Sequence, residues 1–300
     1  MHRIFMGPHG LRAGWRLTLY LLLAATMILL AGFLFQRSGN EERGVSTLWW
    51  GLLFEAELLT AAAVPAVIMS RIERRPAGDY GLPRRGAFTK PFWAGAAWGI
   101  VSLTGLLLAM RLAGLFTFGS LALHGARIWK FAAYWGVFFL VVSFFEEFLF
   151  RGYTQFTLSM GIGFWPAAVL LSAGFGCIHF GNEGEAWTGV IAAAFLGLFF
   201  CLTLRRTGTL WFAVGFHAAW DWAESYLYSA PDSGLPTPGH LLRSSFHGPS
   251  WLTGGSVGPE GSVLIFALIA VLWLAFSRLY PEVRWGAAPA TPAPAVSHQE

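Results

Sequence analysis

Long apolar stretches separated by short charged or glycine-rich breaks recur along the whole chain, and they predict about eight membrane-spanning helices. They are Trp15–Phe35, Leu48 to about Ser70, Pro91–Leu115, Ile128 through Arg151 to about Ser159, Phe164–Phe180, Trp187–Leu204, Thr209–Tyr228 and Ser262–Leu279. Most reach the roughly 20 residues that a helix needs to cross about 30 Å of hydrocarbon. The first is preceded by Arg3, Arg12 and Arg16 and lacks a small-residue cleavage site, so it reads as a retained helix, not a signal peptide. Gly161 and Gly163 break the chain between the fourth and fifth stretches. A Gly/Pro/Ser-rich loop covers 229–261, a candidate lid over one mouth of the bundle. Residues 286–300 form a Pro/Ala tail of disordered composition. The expectation is an all-α, polytopic bundle forming one domain over 1–285, with its chemistry between about 128 and 228.

Composition agrees. Of 300 residues, 55% are hydrophobic and 12% charged, against about 25% charged in soluble domains; the mean hydropathy is +0.55. A pI near 9.3 would suggest nucleic acid in a soluble protein. Here the basic residues sit in short connections (the N-terminus, 71–90, Arg205-Arg206, and Arg278 with Arg284) that alternate to one side. They read as topology signals that place both termini in the cytoplasm of a cell (inner) membrane, with the bilayer and not nucleic acid as partner. Trp49, Trp50, Trp165, Trp187 and Trp211 lie near helix ends, as interfacial aromatics do. Cys177 and Cys201 lie in apolar segments and are expected as buried free thiols.

A few polar groups stand out against this background. The stretch Ser143-Phe-Phe-Glu146-Glu147-Phe-Leu-Phe-Arg151-Gly152 puts two carboxylates and a guanidinium at membrane depth, where a charge costs about 2.5–3.5 kcal/mol on insertion scales. Glu147 and Arg151 are four apart with the acid N-terminal, the favoured order for a helical ion pair. Glu146 lies about 100° round the helix and cannot share that pairing as easily. One glutamate reads as structural, the other as free for chemistry. His179 follows Phe175 by four residues, and His217 and Asp221 are four apart on one helix face. Each has a plain structural reading: a histidine bonded to a neighbouring helix, a self-satisfied His/Asp couple, an ion pair that glues helices. Together, on three helices, they are more polar groups than packing requires, and burying them is costly. On these boundaries His179 lies about 22 Å along its helix and His217 about 12 Å, a mismatch that a deeper start of the fifth helix, shifted boundaries or a re-entrant 181–184 segment would remove. Glu55 and Glu57 read as interfacial, Arg111 as snorkelling, and His124, His240 and His247 as solvated loop residues.

A glutamate placed as general base can take a proton from water. Two imidazoles with carboxylates also match the ligands of a hydrolytic zinc site, so a divalent metal, zinc first, is expected on His179, His217, Asp221 and Glu146, with a metal-free Glu/His mechanism as the alternative. In order along the chain, Glu146-Glu147-x-x-x-Arg151, Phe175-x-x-x-His179 and His217-x-x-x-Asp221 resemble the CPBP intramembrane proteases, the group of the type II CAAX prenyl endopeptidases and bacterial Abi-type proteins. The resemblance covers about 144–222. It implies a peptide-bond hydrolase, a metalloendopeptidase on the zinc reading, with its site inside the bilayer. Glu146 then corresponds to the catalytic base, Glu147 and Arg151 to its supporting pair, His179 to a holder of the water, and His217 with Asp221 to the rest of the site. Where the last position is Asn, an amide can donate to an oxyanion; an ionised Asp221 only accepts. It is therefore a metal ligand, an orienter of His217 or a protonated acid. The substrate would be a membrane-embedded or membrane-proximal peptide. A transporter with a midplane Glu/His/Arg site and a non-catalytic immunity or scaffold protein are the alternatives.

Overall fold

A computed structural model describes residues 6–7, 10–37, 44–182, 184–232 and 238–286. Arg3, Glu183 and the tail beyond Gly286 lie outside these. The chain is mostly helical: α1 Ala13–Arg37, α2 Gly44–Glu73, α3 Lys90–Leu112, α4 Ala126–Arg151, α5 Tyr153–Ile162, α6 Phe164–Ile178, α7 Trp187–Thr207, α8 Trp211–Asp221, the single turn α9 Ser250–Thr253, and α10 Leu264–Leu279. A π-helical segment, Trp222–Leu227, continues α8. The fourth apolar stretch is one span in two pieces. Gly152 breaks it between α4 and α5, and a side chain there would meet the Phe148 carbonyl at 2.3 Å.

Six described spans are long and apolar enough to cross a bilayer: Ala13–Leu34, Leu48–Glu73, Lys90–Leu112, Ala126–Ile162, Phe164–Gly181 and Trp187–Thr207. The expected seventh and eighth are shorter. α10 has 16 residues, about 24 Å at 1.5 Å per residue, and α8 has 11. The reason is visible in the packing. α8 is wrapped by α3, α4 and α7, and nine of its residues, from Trp211 to Asp221, are buried. It is apolar all round because it meets protein on every side, which is the signature of a core helix of this length. Trp211 is accordingly buried, not interfacial, and its indole N–H donates to the Pro83 carbonyl at 3.2 Å. Cys201 is a buried free thiol as expected, whereas Cys177 is exposed.

Glycines set how closely α8 is held. A Cβ on Gly95 would lie 2.1 Å from the Phe212 carbonyl oxygen, one on Gly99 2.4 Å from that of Phe216, and one on Gly215 2.1 Å from that of Phe92. Gly95-x-x-x-Gly99 is thus a small-residue face on α3 against which the α8 backbone lies directly. A second close crossing, α6 on α7, passes through Gly176, whose Cβ would meet the Val190 oxygen at 2.4 Å.

The basic end is fastened through Glu73 at the end of α2. Its carboxylate accepts from Tyr153 at 2.5 Å, Arg16 at 3.0 Å and Tyr80 at 3.1 Å, joining α1, α2, α5 and the 3₁₀ turn Ala77–Tyr80. At the other end the described parts of the 229–261 region are folded, not merely looped. Its Ser245–Phe246 pairs antiparallel with Phe116–Thr117, and α9 and the 3₁₀ turn Pro259–Gly261 lead into α10.

Candidate active site

α4, α6, α7 and α8 converge on a cavity of about 490 Å³. Glu146, His179, His217 and Asp221 line it, while Glu147 and Arg151 lie behind its wall. All six polar residues singled out in the sequence are therefore brought to one place. α6 starts at Phe164 and ends at Ile178, and His179 opens a 3₁₀ turn, His179–Gly181, whose Gly181 and Asn182 also face the cavity.

The two adjacent glutamates are divided as their helical angles require. Glu147 Oε1 lies 3.2 Å from Arg151 Nη1, both side chains fully buried, and 3.0 Å from His217 Nδ1. Glu146 is turned to the cavity with 21% of its side chain exposed, its Oε2 3.7 Å from His217 Nε2. That separation is a Coulombic approach, not a hydrogen bond.

Arg151 is held by aromatic faces as well as charge. Its guanidinium lies 4.2 Å from the Phe175 ring centroid and 5.8 Å from that of Phe200, within cation–π range. Gly197 leaves the room it occupies; a Cβ there would be 2.1 Å from Arg151 Nη2. Phe175 serves two neighbours: its ring packs edge-on against His179 at 4.7 Å, and its carbonyl lies 2.7 Å from His179 Nδ1. A carbonyl only accepts, so Nδ1 carries the hydrogen, and Nε2 of a neutral ring is left as an acceptor. The Phe-x-x-x-His spacing is thereby explained: one residue covers the arginine and fixes the histidine tautomer. His217 stacks on Phe200 at 5.8 Å, and its Nε2 lies 3.3 Å from Asp221 Oδ2.

Zinc ligands about 2.1 Å from a tetrahedral metal lie about 3.4 Å from one another. The 3.3 Å between His217 Nε2 and Asp221 meets that requirement. His179, His217, Asp221 and Glu146 do not otherwise fit it, because no three of their donor atoms gather within 4.8 Å of one another. Among the described residues the group that does is Glu224, Asp232 and Glu260.

Glu55, read from the sequence as interfacial, lines the cavity, as do Glu185, Asp232 and Glu260. Burial pushes Asp232 up to about 6, and burial with the neighbouring Asp232 charge pushes Glu260 up to about 7. Burial likewise raises Glu185. The intramembrane position of Glu55 was a usable signal. The two loop acids had none, since only the fold of the 229–261 region carries them to the cavity.

Residues 127–223 match the family model described as type II CAAX prenyl endopeptidase Rce1-like. No curated protein and no solved structure matches the chain. The matched segment runs from α4 to two residues past the end of α8 and contains every residue of the three motifs. With its multi-pass helical architecture and the motifs folded round one cavity, the segment 127–223 is thus similar to the CAAX-type membrane proteases.

Proposed function

We propose that this protein is an intramembrane endopeptidase in which Glu146 activates water against a peptide bond of a membrane-embedded or membrane-proximal substrate. The observation that carries the reading is the division of labour in the glutamate pair. Glu147 is consumed by Arg151 and His217, whereas Glu146 is the carboxylate of the pair left open to the cavity. In this scheme a water donates one hydrogen bond to Glu146 and the other to the free Nε2 of His179. Glu146 takes the first proton as the water oxygen attacks the scissile carbonyl carbon. A His217 ring protonated on both nitrogens donates Nδ1–H to Glu147 and turns Nε2–H toward Asp221 and the developing oxyanion. The tetrahedral centre then collapses, the C–N bond breaks, and Glu146 passes its proton to the leaving amine. Asp221 acts as orienter of His217, one of the roles open to an acid where an amide would donate. A zinc-bound water would be more acidic than this one, but the scheme gives zinc no step.

The cavity lies at the end of the bundle away from the basic connections, which in our topology faces away from the cytoplasm. The decisive experiment is co-reconstitution of the full chain with a panel of single-span reporter proteins. Glu146→Gln should lower cleavage by about 10²–10⁴-fold while leaving the thermal melt unchanged. Undiminished cleavage would remove Glu146 as the base, and a carrier would instead show flux without product. Elemental analysis addresses zinc in the same preparations: stoichiometric zinc lost in His217→Ala and Asp221→Ala would replace the scheme with a metal-based one.

A further inference from the structure

Beside the cavity, three carboxylates from separate parts of the chain point at one another. Glu224 comes from the π-helical extension of α8, Asp232 from the segment after it, and Glu260 from the turn before α10. One oxygen of each lies within 4.8 Å of one of each of the others. Glu224 is fully buried, and neither of its oxygens accepts a hydrogen bond. The Trp220 indole N–H faces Glu224 and Glu260. Asp232 is buried, with one oxygen, Oδ2, accepting from Ser225 at 2.9 Å. The charges felt by Glu224 are those of Glu260, Asp232 and Asp221, all of its own sign. A carboxylate cluster buried in this way must be neutralised by protons or by a counter-ion, and a buried carboxylate with both oxygens unsatisfied is costly.

We propose that Glu224, Asp232 and Glu260 bind a hard divalent cation, Ca²⁺ or Mg²⁺. The donors are all carboxylate oxygens, which suit those ions and not the softer sites of zinc or copper. The Gly258 backbone passes beside the cluster: a Cβ there would meet Glu224 Oε1 at 2.9 Å and the Pro231 carbonyl at 1.9 Å. Gly258 is at φ +103°, so glycine both allows the turn and leaves space next to the ligands. The cation ties the end of α8, three residues beyond Asp221, to both flanks of the 229–261 region. It is a clamp on the mouth of the cavity, separate from the water-activating residues and independent of whether the chain cleaves peptides.

The test is thermal unfolding and metal content of the full chain in detergent, stripped with chelator and titrated with Ca²⁺, Mg²⁺ or Zn²⁺. The expected result is a saturable rise in Tm with Ca²⁺ or Mg²⁺, and about one ion retained per chain. Glu224→Gln, Asp232→Asn and Glu260→Gln should each weaken binding about tenfold or more and flatten the rise. The Gln variants should also be at least as stable as chelated wild type, because each removes a like charge; this separates lost binding from lost folding. Glu146→Gln and His217→Ala should keep the response. No response of wild type to either hard cation would overturn the proposal, as would an unchanged response in all three carboxylate variants. A response to Zn²⁺ alone that vanishes in His217→Ala would assign the metal to the other site.

Discussion

Arg151 and Glu147 form an ion pair with no access to water, and such pairs cost most when half-removed. Arg151→Met or Glu147→Gln leaves a buried partner uncompensated and should destabilise by about 3–5 kcal/mol, read as a fall in Tm. Replacing both with apolar residues should recover much of the loss, although cleavage would not return, because His217 Nδ1 would have lost its acceptor. Glu146→Gln removes a partly exposed carboxylate that makes only a 3.7 Å approach to His217, and should cost activity with little loss of stability. These residues were largely readable in advance: an i,i+4 spacing and a 100° offset sufficed to tell the two glutamates apart. Glu224, Asp232 and Glu260 were not readable, because no period or spacing joins them. Their proximity arises only when the segment after α8 and the turn before α10 fold onto the same helix end.

Between elements, the close contact of α3 with α8 makes opposite predictions for two glycines of one helix. Gly95→Ala forces a methyl against the Phe212 carbonyl and should cost about 1–3 kcal/mol by overpacking. Gly105→Ala meets nothing within 4 Å and should stabilise by up to about 1 kcal/mol through helix propensity. Melts of the two variants side by side would test the crossing, and equal shifts of one sign would refute it. The helices themselves were legible from apolar runs, with ends mostly within a few residues. The nature of α8 was not, since an apolar residue reads the same whether it faces lipid or another helix. The Gly95-x-x-x-Gly99 spacing was the available hint that a backbone lies against α3.

At the scale of the molecule, the bundle is fastened at one end by Glu73 and at the other by the described elements between 238 and 261. Tyr80→Phe and Tyr153→Phe each remove a hydrogen bond to a mostly buried carboxylate and should each cost about 1.5–3 kcal/mol. Glu73→Gln should lose more than either, because three donors are left without an anion; chemical denaturation in detergent would rank them. A multi-pass helical protein followed directly from composition. The joining of α1, α2 and α5 through one acid did not, since Glu73 stands in a charged stretch that looked like solvated topology signal.

The placement of His217 and Asp221 on a helix surrounded by protein has a consequence for how the proposed activity meets different lipids. α8 has no lipid-facing surface by which the bilayer could set its tilt or depth, so hydrophobic mismatch is absorbed by the outer helices. Turnover measured in vesicles of increasing acyl-chain length should therefore hold nearly constant at the chemical step. Any dependence on thickness should enter through substrate binding, as a change in KM with kcat preserved.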